Sequence, residues 1–324
     1  MKAWILNQTN TDELLQLRDV EAPVCRPHEV KIRMMAASLN PVDYKLTRGA
    51  FGLPLPRVVG IDAAGIVTEV GAEAGSWRVG DPVFGLVDIF NTGSFAEYVC
   101  VDGRALSSLP YGLSFEAAST IPCAGITAWQ AVWSRIALQS GQRLFISAGG
   151  GAVGGFAIQL ARLKGVEIIT SASVNFERLT ALGAGHIVNY KTENVIDRVL
   201  ELTRGEGVEH VVDAVSGVSA ADHCVLVRYG GSLICVAGRP REYPLPPFTR
   251  AVTLVEIALG AVYRHGDSRN LAEISEAGRF LATLMVEKKL DPMISGIIGF
   301  EEIPEGLRAV SRFEAKGKIV VRFA

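Results

Sequence analysis

The sequence predicts an α/β protein in which a doubly wound parallel sheet is inserted into a partly open β-barrel. The barrel takes residues 1–118 plus 265–324 and the sheet takes 119–264. Three observations lead there. The chain has 324 residues, enough for two domains at roughly 150 residues each. Its first 115 or so residues read as short strands broken by turns, and from about residue 117 short apolar runs alternate with helical ones.

Residues 29–36 alternate in polarity as a strand does. Residues 58–70, VVGIDAAGIVTEV, are strand-like around a glycine, and turns at Asp81-Pro82, Asn91-Thr92-Gly93 and Asp102-Gly103 punctuate the stretch up to residue 103. Residues 121–138 are long and apolar. Then come a buried strand at 143–147, a helix at 154–164 closed by Gly165, a strand at 166–170 and a helix at 175–182 ending at Gly183. Two more apolar strands lie at 210–215 and 232–237. Strands and helices alternating at this spacing build a parallel sheet wound on both faces. A turn-rich break at 240–247 precedes a strand and a helix, and a last helix covers 271–288. Residues 317–323, GKIVVRF, are strand-like again and return to the first domain.

Composition narrows the partners. Apolar residues make up 49% and charged residues 20%, with 32 basic against 34 acidic side chains and a net charge of −2. That balance argues against a nucleic-acid or polybasic membrane binder. The uncharged stretches 117–134 and 144–161 are each 18 residues long but carry polar residues, Pro122 and many glycines, and read as buried protein. The opening MKAWILNQTNTDE has a four-residue apolar run, short of a signal-peptide core. Five cysteines (25, 100, 123, 224 and 235) form no C-x-x-C pair, as expected of reduced thiols in a cytoplasmic protein.

The sharpest motif is Gly149-Gly150-Gly151-Ala152-Val153-Gly154, which fits G-x-G-x-x-G between a strand and a helix. Small residues let the backbone approach a pyrophosphate, while the helix N-terminus aims N–H groups and its positive dipole end at the charge. The alternative is a glycine-rich packing turn. An NAD-selective site places Asp or Glu about 20 residues on, at the end of the second strand. Here Thr170-Ser171-Ala172-Ser173 stands there, with no carboxylate to repel a 2′-phosphate. Hydroxyls at Ser171 and Ser173, with Arg178 or Lys191, favour NADPH over NADH. The competing reading has these serines simply opening the helix.

Taken in order, several segments resemble the zinc-independent quinone oxidoreductase branch of the medium-chain dehydrogenase/reductase superfamily. They are SLNPVDYK at 38–45, VGIDAAGIV at 59–67, VGDPV at 79–83, GITAW at 125–129, the glycine turn, LGA at 182–184, VDAV at 212–215 and GKIV at 317–320. The resemblance implies a GroES-like domain completed by the C-terminus around a Rossmann domain, and a homodimer. Zinc-dependent members hold their metal with a Cys near the Asn40 position and a His in G-H-E. This chain has Asn40 and Gly60-Ile61-Asp62 there, and a short loop at 86–93 in place of the structural-zinc lobe. Cys25-x-x-His28 is a lone pair that cannot complete a tetrahedral site, and His223-Cys224 read as surface and core residues of a helix.

Without a metal to hold an alkoxide charge, the expected acceptors are quinones and α,β-unsaturated carbonyls, whose charge spreads into an enolate or hydroquinone anion. By resemblance, Asn40 donates its amide to the cofactor or substrate carbonyl, or else is a turn before Pro41. Tyr44 is a proton donor or a packing tyrosine, and Thr127 touches the nicotinamide end. Ser171 and Tyr190 line the 2′-phosphate, and Asn175 replaces a lysine common among relatives. Val215, Ala237 and Gly238 border the cofactor at strand ends. Lys318 is a cofactor contact or a strand-edge charge. Two rivals are an enoyl-thioester reductase of this fold and a non-catalytic NADPH-binding protein, structural or RNA-associated.

Overall fold

The computed structural model describes residues 1–9 and 15–323, so the polar run at 10–13 lies outside the described residues. It divides into two compact units, Met1–Ile126 with Leu259–Ala324, and Thr127–Ala258.

The N-terminal strands of the first unit pair antiparallel with one another. Its strands are β1 (Lys2–Leu6), β2 (Leu15–Asp19), β3 (Glu29–Ser38), β4 (Arg57–Val58), β5 (Asp62–Val70), β6 (Pro82–Leu86), β7 (Tyr98–Asp102) and β8 (Leu106–Ser108). The apolar stretch read at 58–70 is two strands, because the chain turns at Gly60 with φ +103°. Val30, Ile32, Val67, Val83, Phe95 and Val99 form the centre of the core, each such side chain worth roughly 1.5–3 kcal/mol when buried.

The second unit contains β9 (Arg143–Ile146), β10 (Glu167–Ala172), β11 (His186–Asn189), β12 (Val208–Asp213), β13 (Val227–Cys235) and β14 (Thr253–Glu256). All five pairings are parallel, in the order β11-β10-β9-β12-β13-β14. The winding direction reverses between β9 and β12, which makes their carboxyl ends the crevice where such sheets take ligands. Helices Ala152–Leu163, Phe176–Leu182 and Val195–Leu202 cross between strands. Phe145, Ile169, Val199, Val211 and Leu233 pack together as its core. Strand β11 and helix Val195–Leu202 have no counterpart among the elements expected from the sequence.

The chain then returns. Helix Ser268–Val286 leads to β15 (Ile294–Gly299) and β16 (Lys318–Arg322). Strand β16 pairs antiparallel with β3, placing Val320 opposite Ser38, and so closes the seven-stranded sheet β15-β16-β3-β5-β6-β8, with β7 also on β3.

Candidate functional site

In the second unit the glycine turn leaves the end of β9 and enters helix Ala152–Leu163. A Cβ at Gly149 would stand 2.1 Å from Thr170 Oγ1, and one at Gly154 would stand 2.4 Å from the Ala148 carbonyl oxygen. Both glycines are therefore forced by neighbours inside the turn. At Gly150 a Cβ would meet nothing within 4 Å, so this glycine faces open space. The helix has no side-chain cap at Gly151, which leaves its first-turn N–H groups for a ligand. This is a cradle that an anion fits. Ser147 locks the switch point: its N–H donates to Val212 O (2.9 Å) and its Oγ accepts from Ala214 N (2.9 Å).

The residues expected to line the ribose separate into two groups. Ser171 is buried, its Oγ accepting from Ala148 N at 3.3 Å. It supports the glycine turn and does not reach out as a phosphate ligand would. Ser173 Oγ donates to Tyr190 Oη at 2.9 Å, and Lys191 Nζ lies 5.4 Å from the Tyr190 ring centre. These three make a hydroxyl-and-cation group at the ends of β10 and β11. Arg178 is half-buried and has a partner within the protein.

Val215, Ala237 and Gly238 follow the carboxyl ends of β12 and β13, on the same edge of the sheet as the turn, with Val215 exposed. The organiser there is Asp213, which sequence reasoning passed over. Its Oδ1 accepts from Val215 N (2.9 Å) and Ser216 N (3.1 Å), and its Oδ2 from Ser219 Oγ (2.6 Å). His223 Nδ1 lies 2.8 Å from the same Oδ2. Burial alone would raise this carboxyl, but the hydrogen bonds from His223, Ser219 and the two amides hold it below its usual value. Ser219 and Asp213 share the Nδ1 side of the ring, so the trio lacks the serine–Nε2 geometry of a nucleophile. The spacing of Asp, Ser and His at 213, 219 and 223 across a strand end and the next helix was the available signal.

In the first unit one of the expected catalytic residues, Asn40, sits in a buried polar cluster with Lys318 and Asp62, and Tyr44 and Thr127 lie outside it. Lys318, at the start of β16, is 1% exposed and Asp62, at the start of β5, is 0% exposed. Lys318 Nζ donates to Asn40 Oδ1 (2.6 Å), Leu39 O (3.2 Å) and Asp62 Oδ2 (3.3 Å). Asn40 Nδ2 donates to Asp62 Oδ2 (2.8 Å) and Ser38 O (3.0 Å). Ser38 Oγ lies within hydrogen-bond reach of the same Asp62 oxygen and of Ser119 O, which share its single proton, and Cys123 N donates to Asp62 Oδ1 at 2.8 Å.

Two expectations are corrected by this arrangement. Lys318 is neither a strand-edge charge nor a free cofactor contact, because all three ammonium donors are used inside the protein. Asn40 has no amide hydrogen left for a substrate carbonyl, since both are committed to Ser38 and Asp62. Tyr44 packs its ring in the core, with Arg48 Cζ 5.0 Å from the ring centre. Thr127 is buried in the helix Ile126–Trp129 that begins the second unit.

Asp43 completes the cluster, its Oδ2 accepting from Asn40 N at 2.8 Å while Oδ1 has no partner. Burial, then the nearby Asp62 charge, pushes its carboxyl up to about 8. The folded chain therefore holds a proton that the unfolded chain releases above its ordinary value of 3.8. This contribution to stability is full below that ordinary value and is lost as pH rises towards about 8. Asp43→Asn should flatten that part of the profile, so wild type should lose stability relative to the variant between pH 5 and pH 9, read from unfolding curves at the two pH values.

The cluster also decides how a zinc ion would fit. An ammonium already stands against Asp62 and Asn40, Ile61 is apolar and buried, and burial together with the Asp62 charge pushes the Cys123 thiol up, away from the thiolate a metal needs. No three His, Cys, Asp or Glu side chains among the described residues form a group able to hold a metal. The residues present do not suit zinc.

Two family descriptions match the chain: "Alcohol dehydrogenase GroES-like domain" over residues 26–111 and "Zinc-binding dehydrogenase" over 152–277. The mitochondrial NAD(P)H oxidoreductase RTN4IP1 of Danio rerio is 28% identical, over 99% of this chain and 91% of that protein. A 2-methylene-furan-3-one reductase of Solanum lycopersicum is 29% identical, over 99% of this chain and 79% of that protein. The solved quinone oxidoreductase of Coxiella burnetii is 29% identical with a TM-score of 0.82, covering 99% of both chains. Two family descriptions, relatives of matching span and the shared architecture place this chain in the medium-chain dehydrogenase/reductase superfamily, in its quinone oxidoreductase branch, as an oxidoreductase of the quinone and enone reductase type.

Proposed function

We propose that the chain is a zinc-independent, NADPH-dependent reductase that passes hydride to a quinone or an α,β-unsaturated carbonyl. The observation that carries this reading is the buried Lys318–Asp62–Asn40 cluster, which fills the place of a metal shell with an internally neutralised network. A simple alcohol needs its oxygen charge held by a strong local cation, and Lys318 is committed elsewhere. A conjugated acceptor spreads that charge over several atoms, so positioning and a few hydrogen bonds suffice.

The nucleotide, when bound, supplies the hydride. The chain's own residues supply the rest: the N–H groups of Ala152, Val153 and Gly154 hold the pyrophosphate beside Gly150, and Asp213 fixes the loop carrying Val215. Ser173, Tyr190 and Lys191 offer donors to a 2′-phosphate where an NAD site would present a carboxylate. The name of the tomato relative supports the acceptor class, since a 2-methylene-furan-3-one is a conjugated enone. Strand β14 ends its sheet with one edge without a strand partner among the described residues, which suits a homodimer. Five free cysteines suit a reducing, cytoplasmic setting.

A panel of quinones, enones and simple alcohols, run with NADPH and NADH and accompanied by metal analysis, tests this. NADPH should be oxidised faster than NADH with 1,2- and 1,4-quinones, and chelators should leave the rate unchanged. Chelator-sensitive ethanol oxidation would overturn the reading.

A further inference from the structure

One arginine of the first unit, Arg264, makes no hydrogen bond or ion pair among the described residues and rests on an aromatic ring. Arg264 Cζ lies 3.5 Å from the centre of the Phe90 ring. The Phe90 and Phe51 rings meet edge to face at 6.4 Å and 76°, and Phe51 is 60% exposed. Arg264 is exposed and makes no hydrogen bond or ion pair among the described residues. A guanidinium laid flat on an aromatic face is pinned by cation–π attraction while its in-plane N–H donors stay free. Such a group is an anion fork beside an apolar wall.

The loop that carries Phe90 is firmly held. Arg57 donates through Nη2 to Ile89 O and, at 2.6 Å, to Asn91 O. Asp88 Oδ1 accepts from Phe90 N at 2.9 Å, and the Tyr263 hydroxyl donates to Leu86 O. Leu86 is the residue paired with Asp62 across β5 and β6. The loop thus starts directly opposite the buried cluster, and Tyr263 ties Arg264 to it. The nearby Asp88 carboxylate gives Oδ1 to the Phe90 amide and feels the Arg264 charge without forming an ion pair with it among the described residues, so the N–H donors of Arg264 are not taken up by Asp88.

We infer that Phe51, Phe90 and Arg264 form a substrate-reading subsite for planar conjugated carbonyl compounds that carry an anionic substituent. The aromatic pair and the guanidinium plane take the flat ring system, and the free fork of Arg264 takes the carboxylate or sulfonate. This rests on the reductase reading above and narrows its substrate class.

Two measurements on the full chain test it. The first compares kcat/KM for 1,2-naphthoquinone-4-sulfonate and 1,2-naphthoquinone with NADPH. The preference for the sulfonated compound should fall at least tenfold in Arg264→Met, through KM, and Arg264→Lys should restore only part of it. The second is equilibrium binding of 2-naphthoate, which accepts no hydride, and its affinity should drop at least tenfold in Arg264→Met. Retained NADPH affinity reports that the variant is folded. If both quinones change equally, or 2-naphthoate binds the variant as it binds the wild type, the subsite is wrong. If 2-naphthoate binding depends on Arg264 but neither quinone is reduced, the subsite stands and the reductase reading fails.

Discussion

Replacing Lys318 by methionine should destabilise the first unit by about 3–5 kcal/mol, the usual cost of leaving one member of a buried ion pair without its counter-charge. Methionine keeps most of the stem volume, so the loss is of charge and donors. Asp62 would retain Ser38, Asn40 and the Cys123 amide as donors but would lose the only cation in contact with it among the described residues. Asn40 Oδ1 and Leu39 O would lose a donor in the same step. Denaturant titration, read alongside amide exchange in β3 and β16, should show this unit opening first. The double variant Lys318→Met/Asp62→Asn should regain much of the loss, because it removes the stranded charge. A single variant within 1 kcal/mol of wild type would sink the account.

A second large effect is expected at Gly150. The substitution Gly150→Asp should weaken NADPH binding by ~100-fold or more, about 3 kcal/mol at 1.4 kcal/mol per decade. It sets a carboxylate against the diphosphate where the helix end favours negative ligands. Its Cβ meets nothing within 4 Å, so the unfolding midpoint should stay where it is. At Gly151 the added atom would lie 3.3 Å from Ala148 O, and at Gly154 2.4 Å from it, so those positions confuse folding with binding. Fluorescence titration with NADPH together with a thermal melt separates the two. Unaltered affinity would mean that the turn holds no phosphate.

The parallel sheet and the glycine turn were legible because their signals are local. Strand β9, the turn and helix Ala152–Leu163 lie within about twenty consecutive residues, and each constrains the next. Strand β11 escaped notice because four residues with an exposed first position, HIVN, make too short an apolar run. The first half of β13 was hidden by Gly230 and Gly231, which read as a turn. The buried cluster was the least legible feature. Lys318 lies 256 residues from Asp62 and 278 from Asn40 in sequence. A lysine at the head of an apolar strand looks like an edge charge, and only the pairing of β16 with β3 turns it inward.

That pairing also orders events at the ribosome. Asp62 is synthesised early, yet its counter-charge emerges 256 residues later, a wait on the order of ten seconds or more at typical elongation rates. The intervening unit has all six of its strands before β16 exists, so it can finish folding while the barrel is still open. Nascent chains stalled just short of Lys318 should therefore carry a native second unit and a first unit that chaperones still recognise.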